Sequence, residues 1–144
     1  MPSYNVSPDL LQREGPIVRA DVTISAALER ALRESNQSVP SPIAVSAIVD
    51  TGAWRTVIRT DVINRLGIMP TGRISVPTAS SPNVSSFEYS VRIILQGERP
   101  ISVLALELPL VGHRIECIIG RDVLRAGTFT YDGDTGNYTL NLSK

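Results

Sequence analysis

The strongest constraint in this sequence is an acidic residue that directly follows its most apolar run. Residues 42–49 read Pro-Ile-Ala-Val-Ser-Ala-Ile-Val, and the chain continues as Asp50-Thr51-Gly52-Ala53. A short β-branched run bounded by proline and by turn residues predicts a strand covered on both faces. A carboxylate at the exit of such a strand loses hydration and needs hydrogen-bond donors nearby. Thr51 and Gly52 are the candidate donors, and Gly52 also leaves space for a substrate or another backbone.

The same tripeptide occurs again at residues 134–136, in a different context. No apolar run precedes this second copy, and residues 131–133 before it read Tyr-Asp-Gly. Such a sequence predicts the turn of a hairpin. An ordinary turn is also an open alternative for the first copy, because Asp and Gly both favour turns.

Alternating apolar and polar residues dominate the rest of the chain, so strands are the main predicted elements. The predicted strands cover residues 17–25, 42–50, 53–58, 72–78, 87–95, 101–108, 114–119, 129–132 and 137–142. The predicted helices cover residues 26–35, 60–67 and 121–127. These strands with three short helices predict an all-β fold, a closed and mostly antiparallel barrel-like domain. A small polar segment, residues 78–86, predicts that the hairpin between two of these strands projects from the body.

The chain has 144 residues, of which 42% are hydrophobic and 19% charged, so a disordered chain is excluded. This length suits one domain, which we place at residues 16–144. Residues 1–15 hold two Pro and one Gly and no periodicity, and they predict an N-terminal arm that lies loose or packs on a partner.

Charge and composition narrow the classes of function. Fourteen basic and fourteen acidic side chains cancel, so neither nucleic acid nor a membrane surface is an expected partner. The single cysteine, the absence of an export signal and the lack of a membrane-length apolar run predict a cytoplasmic protein. One His and one Cys make a zinc site improbable, and no cofactor is expected. His113 and Cys117 would lie about 13 Å apart on a strand rising ~3.3 Å per residue, too far for a nucleophile and its base.

Two segments resemble a known family. Residues 47–58, AIVDTGAWRTVI, resemble the active-site segment of retropepsin-like aspartic proteases: two apolar residues, Asp-Thr-Gly-Ala, two variable residues, Thr and an aliphatic pair. Residues 117–124 are similar to the family's second hallmark, two aliphatic residues followed by Gly, Arg, a polar residue and a helix. The resemblance covers roughly residues 16–142. It is closest to the bacterial members, which carry an insertion like residues 26–42.

The resemblance implies a homodimer with one aspartate from each chain, here Asp50. Two carboxylates at hydrogen-bond distance share one proton, so one can act as base and the other as acid. By the same match, Thr51 would hydrogen-bond across the two-fold axis, while Gly52 and Ala53 would support the active site. The hairpin of residues 77–87 would be the flap that closes over an extended peptide.

The resemblance also suggests which residues bind the peptide: Trp54, Thr78, Ala79, Ser80, Ile119 and Gly120. Trp54 departs from the family, which has Ser or Asp at this place, and it either lines the pocket or is a partly buried core indole. The flap has a Ser-Ser-Pro-Asn tip where retroviral members have glycines. The acid that usually pairs with Arg121 is absent, so this arginine is either surface-facing or paired differently.

The resemblance therefore predicts a homodimeric aspartic endopeptidase that needs no cofactor and acts on extended peptide segments. One alternative is a dimeric protein-interaction module that keeps the fold and cleaves nothing, because a fold does not establish activity. A further alternative is a monomer whose dimer surface binds another protein.

Overall fold

The computed structural model describes residues 2–77 and 84–142, which form short helices around a mostly β body. The strands are β1 Ser3–Asn5, β2 Ile17–Ile24, β3 Ile43–Val49, β4 Val57–Arg59, β5 Gly72–Val76, β6 Val84–Leu95, β7 Ile101–Leu108, β8 Cys117–Ile119, β9 Thr128–Asp132 and β10 Asn137–Asn141. The helices are α1 Pro8–Glu14, α2 Ala26–Glu34, α3 Thr60–Leu66 and α4 Arg121–Leu124. None of these described helices is long and apolar enough to span a bilayer.

Six strands close into a barrel in the order β2-β3-β8-β4-β7-β6, and the ring is completed where β6 pairs with β2. Four of the six pairings are antiparallel, while β3–β8 and β4–β7 are parallel. The strand β5 extends the sheet at the edge of β6. This architecture confirms the predicted all-β, closed and mostly antiparallel barrel with short helices.

The barrel interior is filled by alternate residues of its strands. Val22, Ile24, Val91, Ile93 and Leu95 have no exposed surface. Burying one such aliphatic side chain contributes about 1.5–3 kcal/mol, so this core is what keeps the sheet closed.

Several predicted elements differ in detail from those observed. The strand predicted at 53–58 begins only at Val57, because the preceding residues form the turn after Asp50. The strand predicted at 114–119 is reduced to β8. Phe87 stands two residues before the buried Tyr89, yet it is 41% exposed because the inward pattern of β6 shifts to Ser86.

The segment before residue 16 contains regular structure that its sequence pattern did not indicate. The Ser7 hydroxyl caps α1 by accepting from the amide of Leu10 at 3.1 Å, and Pro8 begins the helix. Leu11 is buried against the barrel, and β1 pairs antiparallel with β10. In the structure these residues pack on their own chain. Elements of three and seven residues are too short to show a period in the sequence.

Candidate active site

Asp50 stands where β3 leaves the barrel, and the pairing of β3 with β8 continues onto it. The Asp50 amide donates to the carbonyl of Ile119 at 2.9 Å, one residue beyond the pair Val49–Ile119. The position of Asp50 is therefore set by the sheet. Its side chain is half-buried at the barrel surface.

The residues after Asp50 form a tight turn around its carboxylate. The Gly52 amide donates to Asp50 Oδ1 at 2.8 Å, and the Ala53 amide donates to the Asp50 carbonyl at 3.2 Å. A Cβ on Gly52 would lie 3.1 Å from Asp50 Oδ1, so a side chain there would crowd the carboxylate. Thr51 and Gly52 are exposed, and they present this turn to the outside of the chain.

Arg121, the first residue of α4, holds the turn from the side. Its amide donates to the Ala53 carbonyl at 2.9 Å, and its guanidinium Nη1 donates to the Thr51 carbonyl at 2.8 Å. Both expectations for this arginine are met, because Arg121 is exposed and is also paired differently. Its partner is a backbone carbonyl of the Asp50 turn.

Hydrogen bonds between Thr56 and Asp122 connect the end of the turn to α4. Asp122 accepts from the Thr56 amide at 2.9 and 3.0 Å and from the Thr56 hydroxyl at 2.7 Å. Thr56 has no exposed surface, so these bonds satisfy groups that water does not reach. The sequence pattern alone does not indicate this role for Asp122. The available signal was an acidic residue directly after the Gly-Arg of the second segment.

Ile119 and Gly120 lie behind the turn. Ile119 is fully buried, and its carbonyl supports Asp50. A Cβ on Gly120 would lie 2.6 Å from the carbonyl carbon of Arg55, so only glycine permits this close packing. In the described chain both residues therefore contact the turn from inside.

Trp54 projects from the far end of the turn. Its side chain is 59% exposed, which excludes the partly buried core indole that was one expectation for it. The guanidinium of Arg55 lies 5.6 Å from the centre of the indole ring.

A cavity of about 540 Å³ lies on the outer face of the strand that carries Asp50. Its apolar wall consists of Ile17, Ile48 and Ile115. Ile48 is half-buried, two residues before Asp50 on the same face of β3, and Ala44 is exposed further along. The prediction that this strand is covered on both faces is therefore wrong, because the outer face of the barrel is left open here.

The family of this chain can be assigned from comparison with known proteins. A family model described as "Aspartyl protease" matches residues 41–123, more than half of the chain. The chain belongs to the aspartyl protease family. The match includes both the Asp50 turn and the residues of β8 and α4 that support it.

One solved structure resembles the chain at the level of the fold, and two further matches superpose less well. A retropepsin-like aspartic protease from Rickettsia conorii superposes with a TM-score of 0.59 at 15% identity, covering 95% of this chain and 89% of that one. The EIAV protease complexed with the inhibitor HBY-793 is 27% identical over 57% of this chain and 75% of its own, with a TM-score of 0.44. The Simian Foamy Virus (mac) protease is 15% identical over 74% and 90%, with a TM-score of 0.48. No curated protein sequence matches the chain.

The flap predicted for this aspartyl protease is described only at its base. Strands β5 and β6 pair antiparallel from Gly72–Glu88 to Val76–Val84, which confirms a hairpin at the predicted place. Thr78, Ala79 and Ser80, predicted to contact substrate, lie outside the described residues.

Cys117 and His113 differ in exposure within the aspartyl protease fold. Cys117 has no exposed surface, and burial raises the pKa of its thiol to about 12. His113 is exposed on the loop before β8. Within residues 2–77 and 84–142, no three His, Cys, Asp or Glu residues are grouped so that they could hold a metal ion.

Proposed function

We propose that this chain is a homodimeric aspartic endopeptidase in which Asp50 of two copies forms the catalytic pair. Its catalytic domain is residues 16–144, and its substrates are extended peptide segments. The observation that carries the proposal is the form of the Asp50 turn, which is braced from behind by Ile119, Arg121 and Asp122 while Thr51 and Gly52 face outward.

The Asp50 turn of one chain supplies only half of the proposed active site. One carboxylate cannot both take a proton from water and hold a proton for the carbonyl oxygen, so the reaction needs two. A second copy, turned by a two-fold axis, would bring its own Asp50 against the first, with the exposed Thr51 hydroxyls hydrogen-bonded across the axis. Gly52 leaves space there for the water and for the peptide.

The chemistry of the pair is general acid and base catalysis. The ionised Asp50 takes a proton from a water molecule, whose oxygen attacks the peptide carbonyl carbon. The protonated Asp50 of the other copy donates its hydrogen bond, and then its proton, to the carbonyl oxygen. The tetrahedral intermediate, a gem-diol, breaks when its C–N bond cleaves: the amine nitrogen receives a proton from the pair, and one hydroxyl of the gem-diol returns its proton to the pair as the new carboxyl group forms. Both products then carry their ordinary termini, and the pair again shares one proton.

An extended peptide suits the surroundings of the turn. The open cavity beside Ile48 offers an apolar wall on one side of a partly polar site, and the exposed Trp54 offers a second apolar contact for the peptide. The flap, which we place at residues 77–87, would cover the peptide between them, with Thr78, Ala79 and Ser80 nearest to it.

The test is the digestion of a peptide library at mildly acid, neutral and alkaline pH by the wild type, Asp50→Asn and Asp134→Asn. We expect cleavage favoured at acid pH, because the pair must hold one proton. Asp50→Asn should lower the rate by about 10²–10⁴-fold, the usual contribution of a catalytic acid or base. Asp134→Asn is the matched control from the second Asp-Thr-Gly and should keep the wild-type rate.

The same experiment separates the proposal from the interaction module. Full cleavage by Asp50→Asn would remove Asp50 from the mechanism. A folded, dimeric wild type that cleaves no peptide at any pH would favour a binding module, for which the exposed indole of Trp54 is a suitable contact.

A further inference from the structure

Arg55 connects the Asp50 turn to the strand that carries the flap. The other contacts of the turn described above come from β8 and α4. Arg55 reaches the opposite side, where its Nη2 lies 2.5 Å from a carboxylate oxygen of Glu88 on β6. Its Nε and Nη2 also donate to the carbonyl of Leu104 on β7, at 3.1 and 2.5 Å.

This ion pair differs from ordinary surface pairs in its burial. The side chains of Arg55 and Glu88 are only 11% and 20% exposed. Salt screens such a pair less than an exposed one, and removing one partner leaves the other charge poorly solvated. The planar guanidinium serves two acceptors at once, which an ammonium group on a lysine cannot do in the same geometry.

Glu88 sits at the base of the predicted flap. It is paired in register with Gly72, and a Cβ on that glycine would lie 2.9 Å from Glu88 Oε1. The Arg55–Glu88 pair therefore joins the first residue of β5, the strand β6 and the Asp50 turn at one point.

Arg55 also places Trp54. A guanidinium near the face of an indole is attracted to its ring, and here the distance to the ring centre is 5.6 Å. Because Glu88 and the Leu104 carbonyl fix the guanidinium, they also restrict the indole. Trp54 and Leu104 are 59% and 49% exposed. Two exposed apolar residues therefore neighbour Arg55, whose charge is neutralised by Glu88.

We propose that Arg55 and Glu88 are positioning residues for substrate selection, which hold Trp54 as the contact for an apolar substrate side chain. The inference rests on the proposed peptidase function and adds a substrate class to it. Glu88 cancels the charge of Arg55, so the wild-type surface should favour aromatic or aliphatic side chains over acidic ones. The expected substrates are peptides with such a residue at one position away from the cleaved bond.

Substitutions of Glu88 and of Arg55 should change the substrate preference in opposite directions. Glu88→Gln uncovers the positive charge of Arg55, so peptides with Glu at the selected position should gain relative to those with Phe. Arg55→Met leaves the carboxylate of Glu88, so peptides with Lys should gain instead. A role confined to stability would lower cleavage of all peptides by the same factor.

The experiment measures kcat and KM for peptides that carry Phe, Glu, Lys or Ala at the selected position. For the wild type we expect about a tenfold preference for Phe over Ala, within the range that a single apolar contact supplies. Trp54→Ala should remove this preference, mainly by raising KM for the Phe peptide. Because Trp54 is exposed, this variant tests the surface even where Arg55→Met does not fold. Unchanged Phe, Glu and Lys preferences in Trp54→Ala and Glu88→Gln would overturn the inference.

A binding measurement separates this inference from the proposed function. Trp54 is the single tryptophan of the chain, so tryptophan emission, excited selectively over the four tyrosines, reports on its surroundings. With Asp50→Asn, which keeps peptides intact, the Phe peptide should shift the emission and the Ala peptide should shift it much less. Wild-type cleavage without any such shift would reject the role of Trp54 and leave the peptidase standing. A shift without wild-type cleavage would keep the binding surface and reject the peptidase.

Discussion

The two Asp-Thr-Gly tripeptides share three residues and each lies in a turn, yet they occupy unlike places. In the first, the Gly52 amide donates to the Asp50 carboxylate at 2.8 Å. In the second hairpin, the Asp134 amide makes the same contact with Asp132 at 3.1 Å, so the accepting acid lies two residues upstream of the tripeptide. The turn between β9 and β10 confirms the hairpin predicted for residues 134–136.

Their surroundings are what differ. The first copy leaves a buried strand and is bonded to Arg121 of a distant segment. The second is exposed at Asp134 and Thr135, and only Gly136 is buried, where its carbonyl accepts from the Val6 amide at 3.0 Å. An Asp-Thr-Gly turn therefore becomes a candidate site only where contacts from distant segments hold it at the end of a barrel strand.

Alanine substitutions at the glycines of the two tripeptides should have different effects, one on the stability of the fold and the other on the peptidase rate. Gly136 has φ +79°, and a Cβ there would lie 1.8 Å from the Val6 carbonyl oxygen. Gly136→Ala should therefore cost at least about 2 kcal/mol of unfolding free energy, because the left-handed backbone is strained and the N-terminal segment must move. A Cβ on Gly52 would approach only Asp50 Oδ1, so Gly52→Ala should lower the peptidase rate and leave the urea midpoint nearly unchanged. Equal losses of stability in the two variants would contradict the comparison.

Substitutions of the threonines in the two tripeptides test whether the first turn contacts a second copy of the chain. Thr51→Val removes the proposed hydrogen bond across the two-fold axis, and a net loss of about 1 kcal/mol corresponds to a fivefold rise in the dimer dissociation constant. Sedimentation over a range of concentrations would measure it. Thr135→Val, at the equivalent place of the second turn, is the control and should leave association unchanged. A wild type that is active as a strict monomer would rule out the shared pair.

The smallest expected effect is a pH dependence confined to the second turn. Hydrogen bonds from the backbone and side chain of Thr135 hold the pKa of Asp132 below its usual value. A lowered pKa in the folded state stabilises the protein above the unfolded pKa, about 3.9, and this contribution is lost as the pH falls through the folded value. Asp132→Asn should therefore show a shallower loss of the urea midpoint on acidification than the wild type. Identical acid dependence in the two proteins would show that the turn contributes nothing.

Local patterns in the sequence predicted those parts of the fold that local physics decides. The alternation of β2 and β7, the helical spacing of α2 and the turn residues of the last hairpin each depend on neighbours within a few positions. The α3 helix, predicted over residues 60–67, ends at its cap residue Gly67, whose φ of 66° lies in the left-handed region that favours glycine after a helix. The helix begins at Thr60, and the residue at its N-terminal cap position is Arg59.

The contacts that complete the candidate site could not be predicted in the same way. Thr56 and Asp122 are 66 residues apart, and Arg55 meets Glu88 only because β6 and β7 are neighbours of the turn in the closed barrel. Nothing in the spacing of these residues marks them as partners. Only the resemblance to a family suggested that the two segments meet.

The sequence alone determined that an acid follows an apolar strand, that a turn follows the acid and that strands dominate the chain, because these depend on the order of neighbouring residues. Tertiary structure decided which Asp-Thr-Gly is braced, where Arg121 finds its partner and why Trp54 stands in solvent. Closing a barrel brings together residues whose separation along the chain carries no energetic signal until the strands between them have paired.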